Sequence, residues 1–255
     1  MHRLPSSVLL VVATASLAAA CAGPDSTRSS DDGAPLSRAQ IEAIVANTDR
    51  SAADRRNDVR RKPVDMLELA AVRPGMTVLD VSSGGGYTTE LLARAVAPRG
   101  RVFAQTPRPP SPALAERLKT PAAANVVSVV RPFESAAPAE LSAAGFDLVT
   151  LMFNYHDMGH LGVDRVRMNA AIFAALKPGG AYVIADHAGR PGTGISESGT
   201  LHRVEETLVR REVEAAGFRL AAEGMFLRNP NDPRDRNDTD TLQPKDEFVL
   251  RFVKP

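Results

Sequence analysis

The chain has 255 residues, 44% hydrophobic and 24% charged, enough to bury one α/β core of ordinary size. A formal net charge of +1 leaves no basic excess for a nucleic-acid partner, and the densest basic run, Arg55, Arg56, Arg60, Arg61 and Lys62, has Asp54 and Asp58 interleaved with it. That run reads as a solvated helix face. One cysteine, Cys21, excludes an intramolecular disulfide.

Residues 1–21 have the build of an export signal: His2 and Arg3 give a positive start, residues 8–17 an apolar core too short to span a bilayer as a mature helix, and Ala18-Ala19-Ala20-Cys21 a small-residue cleavage site. Ala18 and Ala20 suit ordinary cleavage, whereas Leu17 to Cys21 resembles a bacterial lipobox with its Leu one place early. A lone thiol at that point is most simply a lipidation site, which expects a protein exported to the periplasm and held to a bacterial membrane by a lipid on Cys21, with no other membrane contact. Residues 22–36 are small, polar and proline-containing, as in a flexible tether. Residues 37–255 form a single domain.

Ser37 with Gln40 makes a capping-box pattern ahead of Ile41, Ile44 and Val45, and a second helix is predicted from Pro63, with Met66, Leu67 and Ala70 inward and a stop before Pro74-Gly75. Residues 78–81 read as a buried strand, 82–86 as a tight glycine turn and 88–97 as a helix with Leu91, Leu92, Ala95 and Val96 on one face. A turn without Cβ atoms lets a ligand lie against the backbone, and the free N–H groups of the helix start favour an anion there. Further strands are predicted at 100–104, 126–130, 146–153 and 181–185. Helices fall at 164–176, stopped by Lys177-Pro178-Gly179-Gly180, and at 201–216, closed by Gly217. The alternation of strands and helices argues for a parallel sheet covered on both faces. Residues 218–227 and 247–253 read as a terminal pair of strands, joined by a linker, 228–246, rich in Asn, Asp and Pro that reads as a solvated loop.

Three phrases carry a resemblance: Asp58 to Pro63 (DVRRKP), Pro74 to Asp80 (PGMTVLD) and Gly84 to Glu90 (GGGYTTE). With them the chain, from about residue 49 to its C-terminus, resembles the class I S-adenosylmethionine-dependent methyltransferases, and more narrowly an exported subgroup with the patterns D-x-x-R-x-P, P-G-M-x-V-x-D and G-G-G-Y-x-T-E. The resemblance implies a three-layer Rossmann-like α/β fold, a mostly parallel seven-stranded sheet with a C-terminal antiparallel hairpin, and S-adenosylmethionine as cofactor. It implies cofactor contacts from Asp80, Ser82, Gly84, Gly86, Tyr87, Gln105, Thr106, Glu134 and Asn154. The set departs from the family pattern at three places. Ser82 replaces the first glycine of the turn and fits there if its φ is negative. Gln105-Thr106 stand where an acid normally takes the ribose hydroxyls, and Glu134 is the substitute for an acid usually found near Pro132.

In an open α/β sheet ligands lie beyond the carboxyl ends of the strands. Four of the five histidines, His156, His160, His187 and His202, fall at or near that edge. His156 is the expected general base, oriented by Asp157 or Asp186, with His187 nearby and His202-Arg203 shaping the acceptor pocket or capping a helix. The leading expectation is a methyltransferase acting on a small molecule and using no metal. The other is an envelope lipoprotein that has lost cofactor binding and holds a metal or small ligand, with His156, His160 and His187 as the ligands. There is no P-loop, CxxC site or Ser-His-Asp motif to favour a kinase, redox protein or hydrolase.

Overall fold

The computed structural model describes residues 1–2, 33–141, 145–237 and 245–255. The expectations for the export signal, for Cys21 and for most of the tether therefore lie outside the described residues. The elements below all belong to one unit, Asp31–Pro255.

Three helices precede the sheet: α1 (Arg38–Val45), α2 (Ala52–Arg61) and α3 (Pro63–Leu69). Both halves of the predicted capping box form at α1, Ser37 Oγ accepting from the Gln40 N–H and Gln40 Oε1 from the Ser37 N–H. Helix α2 has no apolar stripe, so hydrophobic periodicity misses it. Ion pairs and hydrogen bonds anchor it instead: Arg50 grips Asp58 at 2.7 and 2.8 Å, Arg117 grips Asp54 at 2.8 and 3.0 Å, and Arg55 donates to the carbonyls of Asn47, Thr48 and Arg50. Arg55 and Arg56 are exposed as expected, but the rest of the basic run is no solvated face. Arg60 reaches Glu247 at 2.7 Å, and Arg61 lies 3.7 Å from the centroid of the Phe153 ring.

The strands are β1 (Thr77–Val81), β2 (Arg101–Thr106), β3 (Val126–Val130), β4 (Phe146–Met152), β5 (Leu176–His187), β6 (Arg219–Gly224) and β7 (Glu247–Val253), in the order β3-β2-β1-β4-β5-β7-β6. All neighbours run parallel except β7, which is antiparallel to both β5 and β6. Alternation along each strand divides the core in two. Leu79, Val149 and Ile184 pack with α5 (Arg165–Ala175) and α6 (Glu206–Ala215) on one face. Val78, Leu148 and Val183 pack with α1, α3 and α4 (Tyr87–Val96) on the other. This is the expected seven-stranded Rossmann-like architecture. Chain order reverses direction between β1 and β4, and a crevice opens there at the strand ends.

Two predicted boundaries shift. Residues 177–180 lie within the span of β5, as an irregularity between the Phe146–Leu176 and Leu148–Ala181 pairs. The helix expected from 201 begins at Glu206, because Val204 pairs with Ala188 and His202 takes a left-handed φ of 52°.

Candidate functional site

Between β1 and α4 the chain turns through two glycines at positive φ, Gly84 (58°) and Gly86 (82°), and through Ser82 at 58°. A negative φ at Ser82 is the expectation that fails here: the serine occupies a left-handed position that costs a non-glycine residue about 1–2 kcal/mol. Gln105 explains how the turn is held. Its Oε1 accepts the Ser82 N–H at 3.0 Å and its Nε2 donates to the Arg131 carbonyl at 2.6 Å, so this fully buried amide ties the turn to the end of β3. Thr106 Oγ1 donates to the Arg108 carbonyl at 2.7 Å. The polar atoms expected at the ribose are therefore engaged within the protein. Glu134 accepts the Asp164 N–H at 3.1 Å, in a separate depression with Pro107, Arg108 and Leu161.

An open cleft lies against the turn. Asp80, Ser82, Gly84, Tyr87 and Asn154 of the expected set line it, together with Asn57 and Arg61 from α2 and Met152 from β4. The first-turn N–H groups of α4 lack intrahelical partners, and Tyr87 and Thr88 of that turn are in the wall. Gly86 faces the other way, its missing Cβ leaving room for Arg117 Cδ (2.8 Å) and Leu114 Cδ1 (2.9 Å), so its role is packing. A small apolar recess, walled by Pro63, Met66, Leu67, Leu91 and Phe153, shares Arg61, Tyr87, Thr88 and Met152 with the cleft.

Arg61 is the cleft residue that sequence reading missed as a site residue. Desolvation, with repulsion from Arg60, lowers its guanidinium pKa to about 10, and no carboxylate lies within ion-pair distance of it among the described residues. Its signal was the D-x-x-R-x-P phrase. Asp58 accepts from the Tyr87 hydroxyl at 2.7 Å and from Arg50, and Pro63 starts α3, so the motif fixes both ends of the segment that carries Arg61.

Asp80 is fully buried. Thr89 Oγ1 and Thr150 Oγ1 donate to it at 2.5 and 2.7 Å, linking β1 to α4 and β4. Burial outweighs these hydrogen bonds and raises its pKa from the ordinary 3.8 to about 6. A raised carboxyl contributes stability that is fully present below pH 3.8 and is lost as pH rises through about 6. In Asp80→Asn this loss, on the order of 2–3 kcal/mol, is expected to vanish. Urea unfolding followed between pH 4 and 7 checks it.

Beyond β4 and β5 the histidines converge. His156 Nδ1 lies 2.6 Å from Asp186 Oδ1, and His156 Nε2 lies 3.0 Å from Asp157 Oδ1. Burial lowers the His156 pKa, but the two carboxylates outweigh it and raise it to about 9. Asp157 is held well below the carboxylate range: burial raises it, and His156, Asn154 and His202 more than offset that. Clamped at both nitrogens by carboxylates, the ring favours its protonated form, and the general-base role expected of His156 requires it to give up that proton first. His187 is pushed the other way, by burial, to about 4. Its Nδ1 sits 2.8 Å from Glu247 Oε1 in a poorly aligned contact. His202 Nδ1 is 3.3 Å from Asp157 Oδ1, and Arg203 neither caps a helix nor enters the cleft but is buried against Asp232. The metal trio expected from the sequence does not assemble, because His160 Nδ1 turns to Ser198 Oγ (2.9 Å) and His187 to Glu247.

Residues 78–180 match the methyltransferase domain family, over the turn, the cleft and strands β1 to β4. Over these residues the chain carries a methyltransferase domain. This methyltransferase domain is 54% identical over 39 residues to protein-L-isoaspartate O-methyltransferase of Aeropyrum pernix, a match covering 15% of each chain, so only a short part of that curated relative is spanned. Among solved structures, an S-adenosylmethionine-dependent methyltransferase from Aquifex aeolicus superposes with a TM-score of 0.57 at 17% identity, over 86% of this chain and all of that one. A possible exported protein from Bordetella parapertussis gives 0.51 at 17% identity, over 88% and 81%. At these identities the likeness is one of fold.

Proposed function

We propose that this protein is an S-adenosylmethionine-dependent methyltransferase for a small-molecule acceptor, exported and lipid-anchored through Cys21. The observation that carries the enzymatic reading is Arg61, a desolvated cation with no carboxylate partner among the described residues, set in the wall of a cleft whose opposite side is a glycine turn and a helix start. The cofactor is an amino acid at one end, so the cleft's chemistry fits it: Arg61 takes the carboxylate, Gly84 admits close approach to the backbone, and Asn57 and Asn154 offer neutral polar contacts. When bound, the cofactor supplies a methyl group activated by its sulfonium. The protein's own part is to position. Gln105 fixes the turn, and Asp58 and Tyr87 fix the segment bearing Arg61. A protein that has lost its cofactor is the less favoured reading.

Calorimetric titration with S-adenosylmethionine and its demethylated product tests this. Micromolar binding is expected in the native chain and its loss in Gly84→Val. A Cβ there meets nothing nearer than the Ser82 carbonyl oxygen at 3.9 Å, but at the left-handed φ of 58° valine also strains the turn, so a melting curve must show the variant folded. Absence of binding in folded native protein would sink the reading.

Support for export comes from the N-terminal sequence. Among the described residues no helix is long and apolar enough to cross a membrane. Native protein is expected in the detergent phase on phase partition and Cys21→Ser in the aqueous phase; native protein in the aqueous phase refutes the anchor.

A further inference from the structure

We propose that His156, Asp157 and His202 form a binding site for one divalent transition metal of the zinc class, next to the cofactor cleft. One donor atom from each residue lies within 4.8 Å of the other two. His156 Nε2 stands 3.0 Å and His202 Nδ1 3.3 Å from the same oxygen, Asp157 Oδ1. Ligands of a tetrahedral zinc ion with bonds of ~2.0–2.1 Å are separated by ~3.3 Å, so the donors need only small movements to enclose an ion. Two imidazoles and one carboxylate suit zinc, cobalt or nickel better than magnesium or calcium, which favour all-oxygen shells.

The surrounding groups hold the trio as outer partners hold metal ligands. Asp186 accepts from the His156 ring at Nδ1, so the metal takes Nε2 by displacing the proton that faces Asp157, and Asp186 is itself fixed by the backbone N–H groups of His156 (2.7 Å) and His187 (2.8 Å). Asn154, a wall residue of the cleft, donates to Asp157 Oδ2 at 2.8 Å and so turns Oδ1 toward the histidines. His202 is kept at a φ of 52°, a conformation histidine rarely adopts, by the Val204 N–H bond to the His187 carbonyl and by the buried Arg203 that follows it. With His160 Nδ1 and His187 Nδ1 turned elsewhere, three ligands come together among the described residues and leave a coordination position open, the arrangement of catalytic rather than structural zinc.

The inference is independent of S-adenosylmethionine binding. Its test is the full chain purified without a polyhistidine tag, stripped with a chelator, and titrated with Zn²⁺ by calorimetry and with Co²⁺ by visible absorption. One equivalent is expected, with the cobalt bands of a low-coordinate site. Asp157→Asn and His202→Asn should each weaken binding at least tenfold, asparagine being chosen at 202 because it tolerates the left-handed backbone. Asp186→Asn, a positioning change, should weaken it 10- to 100-fold, and His160→Gln should leave it unchanged. Melting curves of the stripped proteins show whether each variant is folded. If one is not, the native stoichiometry and the remaining variants decide. Less than one equivalent in the native chain, or unchanged affinity in the folded Asp157 and His202 variants, overturns the proposal.

Discussion

Arg61→Met is expected to weaken S-adenosylmethionine binding by about 10- to 100-fold while leaving the melting temperature unchanged or raised. A charge-assisted hydrogen bond is worth about 1.5–3 kcal/mol, and each 1.4 kcal/mol is roughly a factor of ten in affinity. Most lesions that weaken binding also weaken the fold. Arg61 is different because its charge is desolvated without an ion-pair partner, so its removal relieves a cost. What the fold loses is the contact over the Phe153 ring, about 0.5–2 kcal/mol, and the thioether side chain of methionine can reoccupy that face. Calorimetry and a thermal melt on the same sample separate the two effects. If binding persists with native affinity, Arg61 does not hold the carboxylate. If the melting temperature falls by ten degrees or more, Arg61 is a structural residue.

The strands were readable because each carries a short apolar run bounded by turn residues, and because their alternation with helices admits few topologies. Helix α2 was not readable. Its sequence, AADRRNDVRR, has no apolar face, and what holds it is a set of partners far away in the chain, Asp54 to Arg117 and Arg60 to Glu247. Such pairings leave no periodic trace. The same holds for Gln105. Its place at the end of β2 was legible, but its bond to the strained Ser82 depends on a parallel register that brings Val81 opposite Gln105. At the histidine cluster the sequence named the right neighbourhood, the ends of β4 and β5. The choice among its members was set by side-chain directions: His156 toward two carboxylates, His187 toward Glu247, His160 toward Ser198.

Arg203→Met is expected to cost about 3–5 kcal/mol of stability, because it breaks a buried pair and leaves its partner charged. Arg203 and Asp232 are 0% and 2% exposed and meet at 2.8 and 3.2 Å, and the same guanidinium donates to the carbonyls of Ala188 and Arg236. The segment 228–237 is therefore no freely solvated loop. Asp232 also accepts from the N–H groups of Arg234 and Asp246, and Asp246 in turn receives Arg234 at 2.6 Å. For a fold of this size a loss of that order lowers the melting temperature by about 2–4 °C per kcal/mol. The double variant Arg203→Met/Asp232→Asn should recover a large part of it, since the orphaned carboxylate is then gone. A double-mutant cycle by urea unfolding measures the coupling, and additive single effects would show that the pair contributes nothing beyond packing. The effect reaches the site as well. Arg203 follows His202 directly and binds the Ala188 carbonyl just past β5, so loosening it removes one of the two restraints on the left-handed histidine. A less stable Arg203→Met protein should therefore also place His202 less well against Asp157.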